Sequence, residues 1–232
     1  MGRRTSYAGG RREASEVNWA YPALTTAVAA LAGWWLSRRR YRRPDDTVYR
    51  TAPAWLLPML AAVGALLAGP FYLGQPVVVI VTYALALVWG LLLAFVDADV
   101  HRLPDLLTLP AYPVAGALLA ACSAVTGDWT AMARAAACAG IAVAVFLVAA
   151  LVASGSGGLG LGDVKLVGVL SGLLGWHSWF SALLGLATGC VIGGLMAVVL
   201  LVFRRAERTS LVAYGPALIA GSYIWAALAP IL

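Results

Sequence analysis

Charged residues are scarce in this chain. Asp, Glu, Lys and Arg together make up 11% of its 232 residues, against 62% hydrophobic. A soluble domain carries about a quarter charged and under half apolar residues. The balance excludes an ordinary soluble domain and points to an all-α, polytopic membrane protein. Cysteine is nearly absent: Cys122, Cys138 and Cys190 each lie among Ala, Gly and Val within apolar runs, and no CxxC pair occurs. A zinc ribbon is therefore excluded, and the three read as small buried hydrophobes. Neither a metal nor any other cofactor is expected. The basic residues form no separate basic domain, so nucleic acid is not an expected partner. The first apolar run is not followed by a small-residue cleavage site, and it is expected to remain as a span.

The chain reads as a polar N-terminal tail over 1–18, a first span with a basic loop over 19–51, and a membrane domain over 52–232. Apolar runs cover about 19–36, 52–73, 77–96, 106–125, 135–153, 164–175, 181–203 and 211–232. Counted this way, about eight transmembrane helices are expected. Residues 1–17 are expected to be disordered. Pro110 and Pro113 are expected to bend the fourth run. The sixth is short for a span unless Trp176 and its neighbours lie at the interface.

Alternating these runs across a bilayer places 37–51, 97–105, 154–165 and 204–210 on one side. That side carries 11 of the 16 Lys and Arg residues, so it is expected to be cytoplasmic. The four arginines of the tail conflict mildly with this orientation. Trp129, Trp176 and Trp179 fall at the opposite interface, where an aromatic belt is expected. Asp97 and Asp163 fall on the same side, because two runs separate them.

Against this apolar background one stretch stands out, SGSGGLGLGDVK, Ser154–Lys165. Five of the nine residues 154–162 are glycine, which leaves room for another backbone to pass close by. Asp163 and Lys165 then open the next apolar run. An acid beside hydrocarbon is costly, and by default it marks a functional site. Its partner in the sequence is Asp97, at the end of the third run in FVDADVHRLPD. Two carboxylates held close together do not both ionise cheaply, so such a pair holds one proton between them. That is the equipment for activating a water against a peptide carbonyl without a metal or a covalent intermediate. Ser/His catalysis is a poor rival, since His177 lies on the other side and His101 has no evident serine. A metal site would have to draw on Asp99, Asp105 and His101, a weaker reading.

Taken singly, each of these residues has an ordinary explanation. Asp97, Asp99 or Asp105 alone reads better as a loop acid, Pro104-Asp105 as a helix start, the SGSGG run as a linker, and Tyr214-Gly215-Pro216 as a kink. Lys165 as an interfacial anchor and as a site residue are about evenly matched. Together those explanations must still account for acids at two boundaries on one side, beside a glycine-rich loop. On a helical continuation Asp99 points away from Asp97, so Asp99 and Asp105 are expected to tolerate Asn better than the pair does.

The pattern resembles the type IV prepilin peptidases, which are GxGD-type intramembrane aspartic proteases. Asp97 with Pro104-Asp105 is similar to their first motif, and Gly160-Leu161-Gly162-Asp163-Val164-Lys165 to their GxGDxK motif. Gly215-Pro216 resembles their late Gly-Pro. The resemblance covers roughly residues 52–232. It implies that Asp97 and Asp163 form a catalytic dyad, supported by Pro104, Asp105, Gly160, Gly162, Lys165, Gly215 and Pro216. It implies a substrate helix, that of a prepilin or pseudopilin, whose short basic leader is cut at the cytoplasmic face of a bacterial cell membrane. The front of the chain departs from the family, because the segment SRRRYRRPDDTVYR has no cysteine and is too short for a cysteine-rich domain; methyltransferase activity is not expected. One alternative is a presenilin-like or signal-peptide-peptidase-like protease, for which Pro216-Ala217-Leu218 would serve as the late motif. Another is a small transporter using Asp163 as a proton relay.

Overall fold

A computed structural model of the chain describes residues 7–39, 41–42, 53–69, 74–152, 160–202 and 214–229. The glycine-rich residues 154–159, the basic block 204–208 and most of the earlier block, 43–50, lie outside the described residues. Nine helices and no strand occur among those described: α1 (Tyr7–Ser37), α2 (Leu56–Ala68), α3 (Val77–Val100), α4 (Asp105–Thr108), α5 (Ala111–Thr126), α6 (Trp129–Val152), α7 (Leu161–His177), α8 (Trp179–Val202) and α9 (Gly215–Leu228). The chain is all-α, as its composition requires. Helix α1 starts at Tyr7 and not near Trp19, so the expected disordered tail is helical over most of its length. A helix satisfies its backbone internally whatever its side chains, which lets α1 run back through polar residues.

Four stretches are long and apolar enough to cross a membrane: Val77–Val100, Asp105–Thr126, Trp129–Val152 and Trp179–Val199. Helices α2 and α9 are apolar but shorter. The sequence count of about eight treats every apolar run as a span. Among the described residues α2, α9 and α7 reach only 13, 14 and 17 residues, and α1 includes Arg11, Arg12, Glu13 and Glu16. The bend expected in the fourth run is a break at Leu109–Pro110, between α4 and α5. Pro113 sits in the first turn of α5, where its missing N–H costs nothing.

Helix α7 is the centre of the molecule. It packs most extensively on α6 and also touches α4, α5, α8 and α9, and Tyr83 of α3 reaches it by a hydrogen bond. Every residue from Leu166 to Trp176 is buried. A helix that is apolar all round belongs inside, and here glycines let its neighbours close in. Gly175 lies against Cys138 of α6, and Gly168 against Tyr112 and Val143. Helices α8 and α9 meet the same way: Gly185, Gly189 and Gly193 recur every fourth residue on one face, and a Cβ on Gly189 would stand 2.7 Å from the backbone of Leu218. Without a hydrophobic drive between helices in lipid, such close backbone approach supplies the packing energy.

Tyrosines fasten the bundle by donating to helix carbonyls. Tyr83 donates to Leu173 O at 2.6 Å, Tyr112 to Lys165 O at 2.8 Å and Tyr214 to Cys190 O at 3.0 Å. Trp129 and Trp179 are exposed as an aromatic belt would have them, but Trp176 is buried and donates to Ser123 Oγ at 2.9 Å. Its side chain faces inward from α7, so it is part of the core and not of the belt.

Candidate active site

Asp97 lies in the last turn of α3, which ends when His101 adopts a left-handed conformation (φ 48°) and returns its N–H to Asp97 O at 2.8 Å. Asp163 lies in the first turn of α7, after Gly160 as N-cap. With α5 and α6 crossing between them, the end of α3 and the start of α7 meet at one end of the bundle. The two carboxylates are near enough to interact electrostatically. Asp97 is 4% exposed, whereas Asp163 is half-buried. One acid is sealed and the other is partly exposed.

Each carboxylate is held by the amino end of a helix. Gly160 N–H donates to Asp163 Oδ2 at 3.2 Å, and Gly215 N–H, at the start of α9, donates to Asp97 Oδ2 at 3.1 Å. The positive ends of α7 and α9 therefore converge on the two acids. Tyr214, the residue before Gly215, is within electrostatic reach of Asp163. A Cβ on Gly215 would stand 2.7 Å from Asp97 Oδ2, which explains why only glycine fits. Gly162 is similarly tight: a Cβ there would meet Leu103 Cβ at 3.2 Å, so glycine brings α7 against the 101–104 turn.

The remaining residues singled out in the sequence fall around this pair. Asp105 opens α4 without capping it, and Lys165 Nζ lies 2.5 Å from its Oδ1. Pro104 is the N-cap of α4, and Pro216 occupies the first turn of α9. His177 sits at the far end of α7. No group of three His, Cys, Asp or Glu residues able to hold a metal occurs among the described residues.

Asp99 differs from its reading as a loop acid. It is 2% exposed and accepts two hydrogen bonds from Arg42, Nε to Oδ2 and NH2 to Oδ1, both at 2.8 Å. Tyr41 OH also donates to its Oδ2 at 2.6 Å. Burial, followed by the bond to Asp99, pushes the Tyr41 hydroxyl up to about 12. The same carboxylate raises Arg42 further, while burial alone lowers His101. The sequence could not single out Arg42, one of five arginines in SRRRYRR. Its neighbour Tyr41, a polar aromatic inside a basic run, was the available signal.

Chemically, two close carboxylates that share a proton can take a proton from water at one oxygen and give one to a carbonyl at another. A family model for the type IV leader peptidase family matches residues 84–198, which contain Asp97, Pro104, Asp105, Gly160, Gly162, Asp163 and Lys165 but not Tyr41, Arg42 or the residues from Tyr214 on. Over 154 residues the chain is 33% identical to a prepilin leader peptidase/N-methyltransferase of Pseudomonas aeruginosa, covering 60% of this chain and 47% of that protein. Over 149 residues it is 34% identical to a protein of the same name from Aeromonas hydrophila, covering 61% and 47%. The chain spans about half the length of the curated relatives it matches. No solved structure matches it significantly. Across residues 84–198, with both acidic motifs inside them, the chain belongs to the type IV leader peptidase family.

Proposed function

We propose that the chain is an aspartic endopeptidase of the bacterial cytoplasmic membrane that removes the short leader of a type IV prepilin or pseudopilin. Asp97 and Asp163 are its catalytic pair, and the site opens to the arginine-rich, cytoplasmic side. The observation that carries this reading is that the two motif acids, both inside the family-matched segment, come close to one another where the amino ends of α7 and α9 hold them.

In this mechanism the ionised member takes a proton from water as the oxygen attacks the scissile carbonyl carbon. The protonated member donates to the carbonyl oxygen, and a tetrahedral diol forms. The C–N bond then breaks: the proton taken from water passes to the leaving amine, and one diol hydroxyl returns its proton to the other carboxylate as the carbonyl re-forms, which restores the pair. Half-exposed Asp163 lies on the side from which water enters. Buried Asp97 is held by Gly215 and keeps its place through the cycle.

The substrate's helix must unwind to present its carbonyl, which is easiest at a helix end or a glycine. Cleavage is therefore expected at the cytoplasmic end of the substrate's apolar segment, after a small residue such as Gly. Co-expression with a prepilin-like protein, followed by N-terminal sequencing and mass spectrometry of both products, tests this. A short soluble basic leader and a membrane-retained remainder are expected. Scissile bonds several residues inside the apolar stretch would refute the reading in favour of presenilin-like cleavage.

A further inference from the structure

We propose that Asp99 is a positioning residue: by gripping Arg42 and Tyr41 it clamps the segment after α1 onto the last turn of α3, and so fixes Asp97 against Asp163. The inference rests on the function proposed above. It goes beyond that function by giving a role to residues 41–42, which lie outside the family-matched part of the chain.

The argument starts from helix geometry. Asp97 and Asp99 are two residues apart, about 200° around the helix axis. While Asp97 turns towards Gly215 and Asp163, Asp99 turns to the opposite side and meets Arg42 and Tyr41. The last turn of α3 is thus held from both sides. A third attachment closes the arrangement, because Arg102, just past the end of α3, donates to Tyr41 O at 3.0 Å.

That turn is in need of such support. Helix ends fray, and acids in a final turn work against the macrodipole. Both Asp97 and Asp99 are acids in the last turn, and that turn contains no basic residue. Arg42 supplies the missing positive charge from another part of the chain. It does so with both arms of its guanidinium, a geometry that sets direction as well as distance. The pair is largely desolvated, with side chains 18% and 2% exposed. Buried ion pairs are a poor source of net stability compared with apolar packing, whereas two parallel bonds to a carboxylate hold one orientation of the turn.

The test has two arms, both on the full-length chain in detergent. In the first, cleavage is followed on a reporter made of one apolar helix preceded by a basic leader ending in Gly. Arg42→Gln and Asp99→Asn are each expected to lower kcat by about 10–100-fold with KM within about twofold. Arg42→Lys should recover only part, since it keeps the charge and loses the fork. The double variant should be no worse than the poorer single one, because the residues act as a unit. In the second arm Asp97→Cys and Asp163→Cys are combined and oxidative cross-linking is timed, a readout independent of activity. Adding Arg42→Gln is expected to slow it several-fold.

Unchanged kcat in the folded variants overturns the clamp. So does a loss of thermal stability with unchanged kcat per folded molecule, or an unchanged cross-linking rate. Should the charge variants fail to fold, Tyr41→Phe removes one hydrogen bond at nearly constant volume; a reduced kcat supports the clamp and an unchanged one overturns it. A wild-type chain that cleaves no leader, while cross-linking still responds to Arg42→Gln, sinks the proposed function and leaves the clamp standing.

Discussion

Lys165 Nζ and Asp105 Oδ1 lie 2.5 Å apart, joining the first acidic motif to the second across 60 residues of sequence. The bridge also ties the start of α4 to α7 just past its first turn. Its side chains are 34% and 62% exposed, so water competes for both charges. An exposed pair contributes about 0–1 kcal/mol. Lys165→Gln and Asp105→Asn are therefore expected to lower Tm by no more than about 4 °C each. Their coupling in a double-mutant cycle should shrink at high salt. A larger coupling, insensitive to salt, would mean that the bridge closes over in the working enzyme.

The pair itself should be unforgiving. Asp97→Asn and Asp163→Asn keep shape and remove the titrating group, and each is expected to cut leader cleavage by at least about 10²–10⁴-fold while the protein still inserts. Gel mobility of a co-expressed reporter checks this. Substantial cleavage by either purified variant would show that the wrong acids have been chosen.

Gly215→Ala separates site geometry from stability. The added methyl would stand 2.7 Å from Asp97 Oδ2, so the carboxylate or the start of α9 must move. We expect kcat to fall by about 10²-fold with little change in Tm. An alanine variant of normal activity would show that the Gly215 amide does not place Asp97.

Arg134 tests the opposite end of α7. From α6 it donates to Gly175 O at 2.7 Å, Trp176 O at 2.5 Å and His177 O at 2.9 Å, covering the last carbonyls of the helix. Arg134→Leu strands those groups and should cost about 2 kcal/mol of stability. Activity of the folded fraction should stay within about twofold. Thermal unfolding followed by cleavage assays on the soluble fraction distinguishes the two effects.

Tyr41 gives a pH signature. Its hydroxyl is pushed up from 10.0 to about 12 in the folded chain. A folded value above the unfolded one means that the folded state holds the proton longer. The associated stability is complete below pH 10 and is lost as pH rises through about 12. An ultraviolet difference titration of wild type against Tyr41→Phe should show one tyrosine ionising in that window. Ionisation near 10 would mean that the hydroxyl is neither buried nor bonded to Asp99.

Much of this was legible in the sequence because charge is conspicuous in an apolar chain. Asp97 and Asp163 could be picked out as a pair, because the two runs between them put both on one side beside a glycine-rich loop. Glycine at 162 and 215 was visible, but why each must be glycine depends on Leu103 and on Asp97 itself, which only the folded chain brings near. Asp99 was misread as an ordinary loop acid, because nothing local distinguishes Arg42 from the arginines beside it and the contact spans 57 residues. The count of about eight spans is not confirmed by the four found among the described residues, and α7 shows one reason: its hydrophobicity reports burial among other helices. Trp176 was misplaced for the same reason: its indole points into that core.

The enclosure of α7 also bears on how the protein is made. At 17 residues it is about 26 Å long, short of a hydrocarbon core of about 30 Å, and its first turn holds Asp163 with Lys165 just beyond. Such a segment is a weak signal to the insertion machinery. Helices α6 and α8 on either side are 24 residues each and strongly apolar. Because α7 packs on α6, α8 and α9, it is expected to gain its final place during synthesis only after α8 and α9 have followed. Helix α7 is thus expected to be among the last parts of the bundle to settle, and a nascent chain cut short before α9 would leave Asp97 without the Gly215 amide that holds it.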